Sequence, residues 1–214
     1  VMVVNPSVKV KTMAEFLAYA KANPGKLNYA SGGVGSSAHM SAELLKSMAG
    51  IDMTHIPYKG AAPAVNAVMA DESQVMVGNL PPWSALIKSG KVQALAVTTP
   101  KRHHSLPDVP TMAETLPGFD TLAWFGILAP AGTPKEVVSR LNAEFNAALK
   151  QPDLQKKLGD QGADPAGGTA DQFAAKQAVF GIELAQKALA AKTPQAQLPA
   201  TVKTDVVLVT KDSK

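Results

Sequence analysis

Short strand-type runs alternate with helical patterns through roughly the first 125 residues, and this alternation constrains the fold more than any other feature of the chain. The predicted strands are residues 1–5, 27–31, 53–56, 74–77 and 92–98. The predicted helices begin at Thr12, after the loop at 31–37, at Gly60, after Pro82 and at Thr111. Such alternation predicts an α/β fold with a mostly parallel sheet and helices on both faces. Ligands of these sheets bind beyond the carboxyl ends of the strands.

One junction between a predicted strand and a predicted helix, LNYASGGVGSSAH at residues 27–39, contains a glycine loop. Its glycines let the backbone turn tightly and approach a ligand closely. Its serines can cap the helix that follows, whose free amides and positive dipole end favour an anion. The candidate ligand-binding residues of this loop are Ser31, Gly32, Gly33, Gly35, Ser36 and Ser37. The alternative is that the glycines serve only the geometry of a tight turn.

The loop lacks the motifs that bind large phosphorylated ligands. GGVG departs from the G-x-G-x-x-G spacing of dinucleotide sites, and no Lys-Ser/Thr pair follows to complete a P-loop. A small carboxylate needs fewer donors, which a few amides and serine hydroxyls can supply. Arginine occurs only at Arg102 and Arg140, so backbone amides are the available anion donors. A small carboxylate is the favoured ligand, and no cofactor is expected.

The four histidines give no clear catalytic or metal-binding pattern. His39 lies about one turn above the loop and could either donate to a ligand or satisfy a neighbouring carbonyl. His55 alternates with apolar and small residues in a predicted strand and is interpreted as a packed side chain. His103 and His104 are consecutive, so on a helix they would diverge by about 100° and could not bind one metal together. Without a His-x-x-x-His pair or a cysteine, no metal site is predicted.

No arrangement of catalytic residues is convincing. The sequence offers no clear nucleophile elbow or Ser-x-x-Lys pair, and Asp71-Glu72 is typical of a solvated turn. Trp83, Trp124 and Phe125 lie near predicted strand ends, where core packing is the first explanation and a cleft wall the second. A non-enzymatic binding protein is therefore favoured. The alternatives are an enzyme that uses His39 as its base on a phosphorylated substrate, and a degenerate fragment that acts as an interaction module.

Composition excludes other classes. The formal net charge is +4, but the lysines are scattered singly and aromatic residues make up 5% of the chain, so nucleic-acid binding is not expected. No apolar run approaches the roughly 20 residues that span a bilayer, so the chain is not expected to be membrane-embedded. No secretory leader opens the sequence as given; it begins on a strand-type run, which suggests residues missing upstream.

The pattern changes after Phe119, where an extended segment, FDTLAWFGILAP, precedes helices. Capping boxes are predicted at Thr12-x-x-Glu15, Thr111-x-x-Glu114, Thr133-x-x-Glu136 and Thr169-x-x-Gln172. The helix after Thr133 has an apolar stripe with few strands to cover, and the last helix carries Phe173, Phe180 and Leu184. The second half therefore predicts a lobe that is present only in part. The polar, proline-punctuated residues 190–214 indicate a linker or tail.

Four motifs make the chain resemble the Bug family, the TctC-like substrate-binding receptors of tripartite tricarboxylate transporters. They are HIPYKG at 55–60, the NLP segment at 79–81, KRHHSLPDVPT at 101–111 and LAPAGTP at 128–134. These motifs occur in family order, and together they are specific. The resemblance runs from about Val1 to about Ala175.

The resemblance implies a periplasmic receptor of the Venus-flytrap type, with one complete parallel-sheet lobe and an incomplete second lobe. Residues 1–123 would form the complete, ligand-binding lobe, 124–189 the hinge return with helices of the other lobe, and 190–214 a tail. Residues 1–5 and 121–128 would be neighbouring crossover strands. The implied partners are a small carboxylate, such as a di- or tricarboxylate or an aromatic acid, and the membrane subunits of the transporter.

In the family, one ligand carboxylate is held by the segment corresponding to Ser31–Ser37, and Trp124 and Phe125 match a segment near the cleft. The candidate site also includes Gly78 and Asn79, where the family often has an aspartate before NLP. Glycine at this position would remove an acceptor for a ligand amine, which favours a plain carboxylate over an amino acid. The opening of the first lobe is absent from this chain, so its own affinity is expected to be poor.

Overall fold

The computed structural model describes residues 1–123, 125–130 and 132–173. Its strands are β1 Met2–Val4, β2 Asn28–Ser31, β3 Thr54–Pro57, β4 Val75–Val77 and β5 Gln93–Ala96. Its α-helices are α1 Met13–Ala22, α2 Ser37–Ala49, α3 Ala61–Met69, α4 Ser84–Lys88, α5 Lys135–Leu149 and α6 Pro152–Asp160, with a short 3-10 helix at Met112–Glu114. The predicted alternation of strands and helices is confirmed in this part of the chain.

The strands form one sheet in the order β3-β2-β4-β1-β5. β2 pairs parallel with β3 and with β4, while β1 runs antiparallel to both β4 and β5. β2, β3, β4 and β5 therefore share one direction, and their carboxyl ends lie at the same edge. The α/β class is confirmed, but the sheet is mixed: because β1 lies between β4 and β5, two of the four strand pairings are antiparallel, which the sequence did not predict.

Two apolar layers cover the sheet, one on each face. β1 is buried throughout, and its side chains alternate between the layers: Met2 and Val4 pack in one, Val3 in the other. The first layer also holds Phe16 of α1 and residues of α2, and the second holds residues of α3. Helices thus lie on both faces, as predicted, which leaves the strand ends as the accessible part of the sheet.

Two of the four predicted capping boxes form in the structure, and the other two differ from the prediction. The capping box at Thr111 is complete, and Thr169 and Gln172 exchange reciprocal bonds of 2.9 and 3.1 Å. Thr12 caps α1, but Glu15 accepts from Lys11 rather than from the cap residue, so that box is only half formed.

The capping box predicted at Thr133 is wrong. Its hydroxyl donates to the Pro130 carbonyl at 2.8 Å, and Pro134, which has no hydroxyl to offer, occupies the cap position of α5. The hydroxyl is therefore used within the turn that precedes the helix. α6 begins with Pro152 in its first turn, as predicted.

The extended segment after Thr121 also differs from the expectation of a crossover strand beside β1. Residues 121–123 and 125–130 contain no strand, and β4 and β5 already occupy both sides of β1. The apolar stripe of α5 is exposed, with Val137, Leu141 and Phe145 each more than two-fifths accessible. Phe180, Leu184 and the predicted tail at 190–214 lie outside the described residues.

Candidate ligand-binding site

The glycine loop connects β2 to α2 at the carboxyl edge of the sheet. Gly33 and Gly35 have φ angles of 126° and 80°, values that side chains disfavour, so glycine is required for this path. Ser36 caps α2, and its hydroxyl accepts from the His39 amide at 3.3 Å. The prediction of a strand, a glycine turn and a serine-capped helix is therefore confirmed.

A second helix N-terminus lies beside this loop. A Cβ on Gly32 would lie 3.2 Å from the carbonyl carbon of Gly60 and 3.3 Å from the Ala61 nitrogen, so only glycine fits without displacing the turn before α3. The Gly60 amide donates to the Gly32 carbonyl at 3.2 Å. The N-termini of α2 and α3 consequently meet at the ends of two adjacent parallel strands. The sequence predicted a helix from Gly60, and α3 confirms it, but sequence reasoning missed that its N-terminus lies beside the loop; the available signal was the lack of a capping side chain at Gly60.

The free amides of these two helices make the site suited to an anion. Within the described chain, the amides of Val34, Ser37, Ala38, Ala61 and Ala62 donate no hydrogen bond to protein. Ser37 and Ala61 are exposed at the helix starts. Unpaired amides at a helix N-terminus carry partial positive charge and bind carboxylate or phosphate. Such groups bind and orient an anion, but they do not transfer protons.

Ser31 lies beneath the loop and is fully buried. Its hydroxyl accepts from the Gly33 amide at 3.1 Å, lies 3.1 Å from the Gly33 carbonyl and lies 2.6 Å from Nε2 of His55. The hydroxyl predicted to contact a ligand is thus already used to hold the loop.

His39 and His55 support the loop from the same side. The ring of His55 stacks on Tyr29 at a centroid separation of 4.8 Å and contacts the tilted ring of His39 at 4.2 Å. Nδ1 of His39 accepts from the Gly35 amide at 3.2 Å, and the residue is 6% exposed. Burial lowers the pKa of His39, and burial together with the nearby His39 lowers the pKa of His55 to about 4. The base suggested for an enzyme is therefore buried and bonded to the loop.

A buried charge holds α2 against β2. Tyr29 donates to Glu43 at 2.5 Å, and Lys46 forms an ion pair with the same carboxylate at 2.9 Å. Burial would raise the pKa of Glu43, but the hydrogen bonds from Tyr29 and Lys46 outweigh it and the pKa is lowered. Burial and the Glu43 carboxylate raise the pKa of Tyr29. Sequence reasoning missed this network; the available hint was an acidic residue on the apolar side of α2.

Gly78 and Asn79 follow β4 at the same edge, and both are half-buried. A Cβ on Gly78 would lie 3.4 Å from the indole nitrogen of Trp83, which has no hydrogen-bond partner among the described residues. Trp83 itself is fully buried, so core packing is confirmed for it. Phe125 is 78% exposed and is not a core residue, while Trp124 lies outside the described residues.

His103 and His104 lie beyond β5 and do not form part of a helix. Helix geometry therefore does not separate them: the turn they form places their rings side by side, with centroids 4.3 Å apart. Both Nε2 atoms approach the carboxylate of Asp164, at 3.6 and 3.0 Å.

Comparison with known proteins places this geometry in a family. The sequence profile of the tripartite tricarboxylate transporter family receptor, TctC, matches residues 1–180. A protein from the tcbD-tcbE intergenic region of Pseudomonas sp. strain P51 is 41% identical over 176 residues, covering 81% of this chain and 52% of the relative. BugT of Bordetella pertussis is 36% identical over 173 residues, covering 80% and 53%. The chain thus spans about half the length of these two relatives.

Solved structures give the same result. R. palustris Rpa4515 with adipate superposes with a TM-score of 0.86 at 35% identity, covering 89% of this chain and 64% of that one. The periplasmic binding protein BugD gives a TM-score of 0.85 at 32% identity, covering 89% and 65%. MatC from Rhodopseudomonas palustris with bound malate gives 0.77 at 30% identity, covering 89% and 65%.

These neighbours are solute-binding proteins, and none of the helices described for this chain is both long and apolar enough to cross a bilayer. The resemblance noted from the HIPYKG and LAPAGTP motifs is confirmed by both kinds of comparison. Since the family profile matches well over half of its residues, the chain belongs to the Bug, or TctC, family of tripartite tricarboxylate transporter receptors.

Proposed function

We propose that this chain is the carboxylate-holding part of a periplasmic receptor that delivers a small di- or tricarboxylate or aromatic acid to a tripartite tricarboxylate transporter. The observation that carries the proposal is the meeting of two helix N-termini, those of α2 and α3, around the glycine loop. Their free amides would bind one ligand carboxylate. The protein acts by binding and release, without chemical conversion of the ligand.

The charge distribution around the helix starts supports an anionic ligand. Among the described helices of nine residues or more, α1, α5 and α6 each carry an acidic residue in the first turn. α2 and α3 carry none. An acidic side chain in the first turn stabilises the positive end of a helix, so the two helices at the site leave this role open. A ligand carboxylate would fill it.

A carboxylate is favoured over a phosphate by the donors available and by the relatives. The loop offers neutral amides, and neither Arg102 nor Arg140 belongs to it. The solved neighbours include one protein with adipate and one with bound malate. Both ligands are dicarboxylates, for which one helix-terminal site of this kind would hold one end of the molecule.

The other end of the ligand would be held by a second lobe. We assign residues 1–123 to the ligand-binding lobe and 124–189 to the hinge return and helices of the other lobe. The exposed apolar stripe of α5 and the half-length match to the relatives support this assignment. A cleft closed by two lobes buries most of a ligand, whereas one open face does not, so this chain alone should bind only weakly.

Gly78 would set a preference for plain carboxylates. The position lies at the strand edge beside the loop, and a carboxylate introduced there would provide an acceptor for a ligand amine. We expect Gly78→Asp to improve binding of aspartate relative to malate, measured by titration calorimetry of both ligands. Equal changes for the two ligands would contradict this role. Gly78→Ser, which adds bulk without charge, is the matched control.

The proposal is tested by titrating the chain with adipate, malate and citrate at millimolar concentrations, with the neutral diamide of adipate as control. We expect carboxylates to bind and the diamide not to bind. Ser36→Ala should weaken adipate binding, whereas Thr12→Ala, which removes the cap of the remote helix α1, should not. Each substitution removes one helix cap and should lower the free energy of unfolding by about 1 kcal/mol. Because the two variants lose similar stability, a difference in their adipate affinity would come from the position of Ser36 at the site. Equal binding of adipate and its diamide would overturn the proposal.

A further inference from the structure

A cluster of two imidazoles and one carboxylate lies away from the glycine loop, beyond the end of β5. It consists of His103, His104 and Asp164, whose ligand-type atoms all lie within 4.8 Å of one another. Nε2 of His103 lies 3.6 Å from one carboxylate oxygen, and Nε2 of His104 lies 3.0 Å from the other. His103 is half-buried, while His104 and Asp164 are exposed.

We propose that this cluster, His103, His104 and Asp164, is a binding site for a divalent transition cation of the zinc class. Zinc takes imidazole and carboxylate ligands at about 2.0–2.2 Å in tetrahedral geometry, which separates neighbouring ligand atoms by about 3.3 Å. The two histidine-to-carboxylate separations run to different oxygens of Asp164 and fall on either side of that value, and the three ligand atoms all lie within 4.8 Å of one another, so small side-chain movements would gather them around one ion. Three protein ligands leave the fourth position to water.

The backbone fixes the two histidines for this role. The Leu106 amide donates to the His103 carbonyl at 2.9 Å, which closes a turn and brings both rings to one side. Ser105 lies against the other nitrogen of the His103 ring, with its hydroxyl 2.7 Å from Nδ1. The Ser105 amide donates to the same nitrogen at 3.3 Å, so Nδ1 accepts in the metal-free ring and the proton lies on Nε2; a cation that binds Nε2 would require this proton to move to Nδ1, where the Ser105 hydroxyl can accept it. Such outer partners of a metal-binding histidine orient the ring and fix its tautomer.

The position of Asp164 is fixed by the end of α6. Gly162 adopts a φ of 77°, and the Ala163 amide donates to the Leu158 carbonyl at 3.0 Å, which closes the helix end. A Cβ on Gly162 would lie 2.5 Å from a methyl carbon of Leu80 and 3.4 Å from the Ser105 hydroxyl, so this turn packs directly against the histidine segment. A bound cation would therefore join the loop after α6 to the sheet.

The donor set determines which cations are expected to bind. Two imidazole nitrogens suit zinc, nickel and copper, whereas magnesium and calcium require oxygen ligands. The site is independent of the proposed carboxylate site, so either proposal can fail without the other.

The test is a titration of the full chain with zinc chloride at pH 7, followed by calorimetry and by NMR of the imidazole nitrogens. The chain has four histidines, so each ring can be followed separately. We expect one equivalent of zinc to shift the His103 and His104 resonances and to leave those of His39 and His55 unchanged. Magnesium chloride should produce no shift.

His104→Asn and Asp164→Asn alter exposed residues and should fold normally while losing zinc binding. Ser105→Ala should weaken zinc binding by about tenfold, the lower end of the range for outer partners. Asp160→Asn, an exposed carboxylate that pairs with Lys156 on α6, is the matched control and should bind zinc like the wild type. The proposal fails if the wild type binds no zinc, if zinc shifts His39 and His55 instead, or if Asp164→Asn binds zinc normally.

Discussion

Acidification from pH 7.5 to pH 5 should destabilise the chain through the half-buried His55. Its ring packs against both Tyr29 and His39, and Glu43 and Lys46 are the charged groups of the same cluster. Burial and the nearby His39 lower its pKa from 6.5 to about 4 in the folded protein. The unfolded chain therefore binds a proton at a pH where the folded chain does not. The contribution is fully present above about pH 6.5 and is lost as the pH falls from there towards 4.

The size of the effect follows from the two pKa values. At pH 5 the unfolded histidine is almost fully protonated and the folded one is almost fully neutral. Linkage between these states lowers the free energy of unfolding by about 2 kcal/mol between pH 7.5 and pH 5. Burial lowers the pKa of His39 too, so it adds a loss in the same direction. Glu43 has a lowered carboxyl pKa and stays ionised above pH 5, which separates its effect from that of the histidines.

The assay is denaturant unfolding of the wild type and of His55→Gln at both pH values. Glutamine can keep a polar contact with the Ser31 hydroxyl without a titrating ring. We expect the variant to lose about 2 kcal/mol less than the wild type on acidification. His104→Gln, at an exposed histidine, controls for the loss of an imidazole. An equal loss in the wild type and in His55→Gln would refute the reasoning.

Two further substitutions test the packing of the site. Gly32→Ala should lower the free energy of unfolding by about 1–3 kcal/mol and weaken carboxylate binding, because its Cβ would meet the backbone before α3 at 3.2 Å. The control Gly159→Ala, in open space on α6, should raise the free energy of unfolding by up to about 1 kcal/mol. Equal effects of the two substitutions in denaturant unfolding would contradict the steric argument. Tyr29→Phe should cost about 1–3 kcal/mol, since it leaves Glu43 buried without this hydrogen bond, while Tyr19→Phe at an exposed site should change stability by less than about 0.5 kcal/mol. Equal unfolding midpoints for the two tyrosine variants would show that the buried bond contributes nothing.

The order of elements and the glycine loop were predictable because each rests on local chemistry. Short apolar runs, serine and threonine caps and glycines that allow a tight turn act within a few residues, and Ser36, Gly33 and Gly35 adopt the roles expected of them. The position of the loop at the carboxyl edge followed from the parallel sheet. The antiparallel direction of β1 could not be predicted, because the direction of a strand in a sheet depends on which distant segments become its neighbours.

The remaining features of the site depend on contacts between distant residues. The meeting of α3 with the loop depends on the pairing of β2 with β3, and the role of Ser31 depends on His55, which lies 24 residues away in sequence. The proximity of His103 and His104 was missed because helix geometry was assumed for a segment that forms a turn. Sequence spacing alone cannot reveal such contacts.

The most direct test of the account is whether the free amides at the two helix starts bind a carboxylate. The measurement is an amide NMR titration of the chain with adipate, with the neutral diamide of adipate as control. We predict saturable shifts for Val34, Ser37, Ala38, Ala61 and Ala62 with adipate only, because these amides lack protein partners. Shifts that are absent, or that are the same for adipate and its diamide, would contradict the assignment of this loop as the carboxylate site.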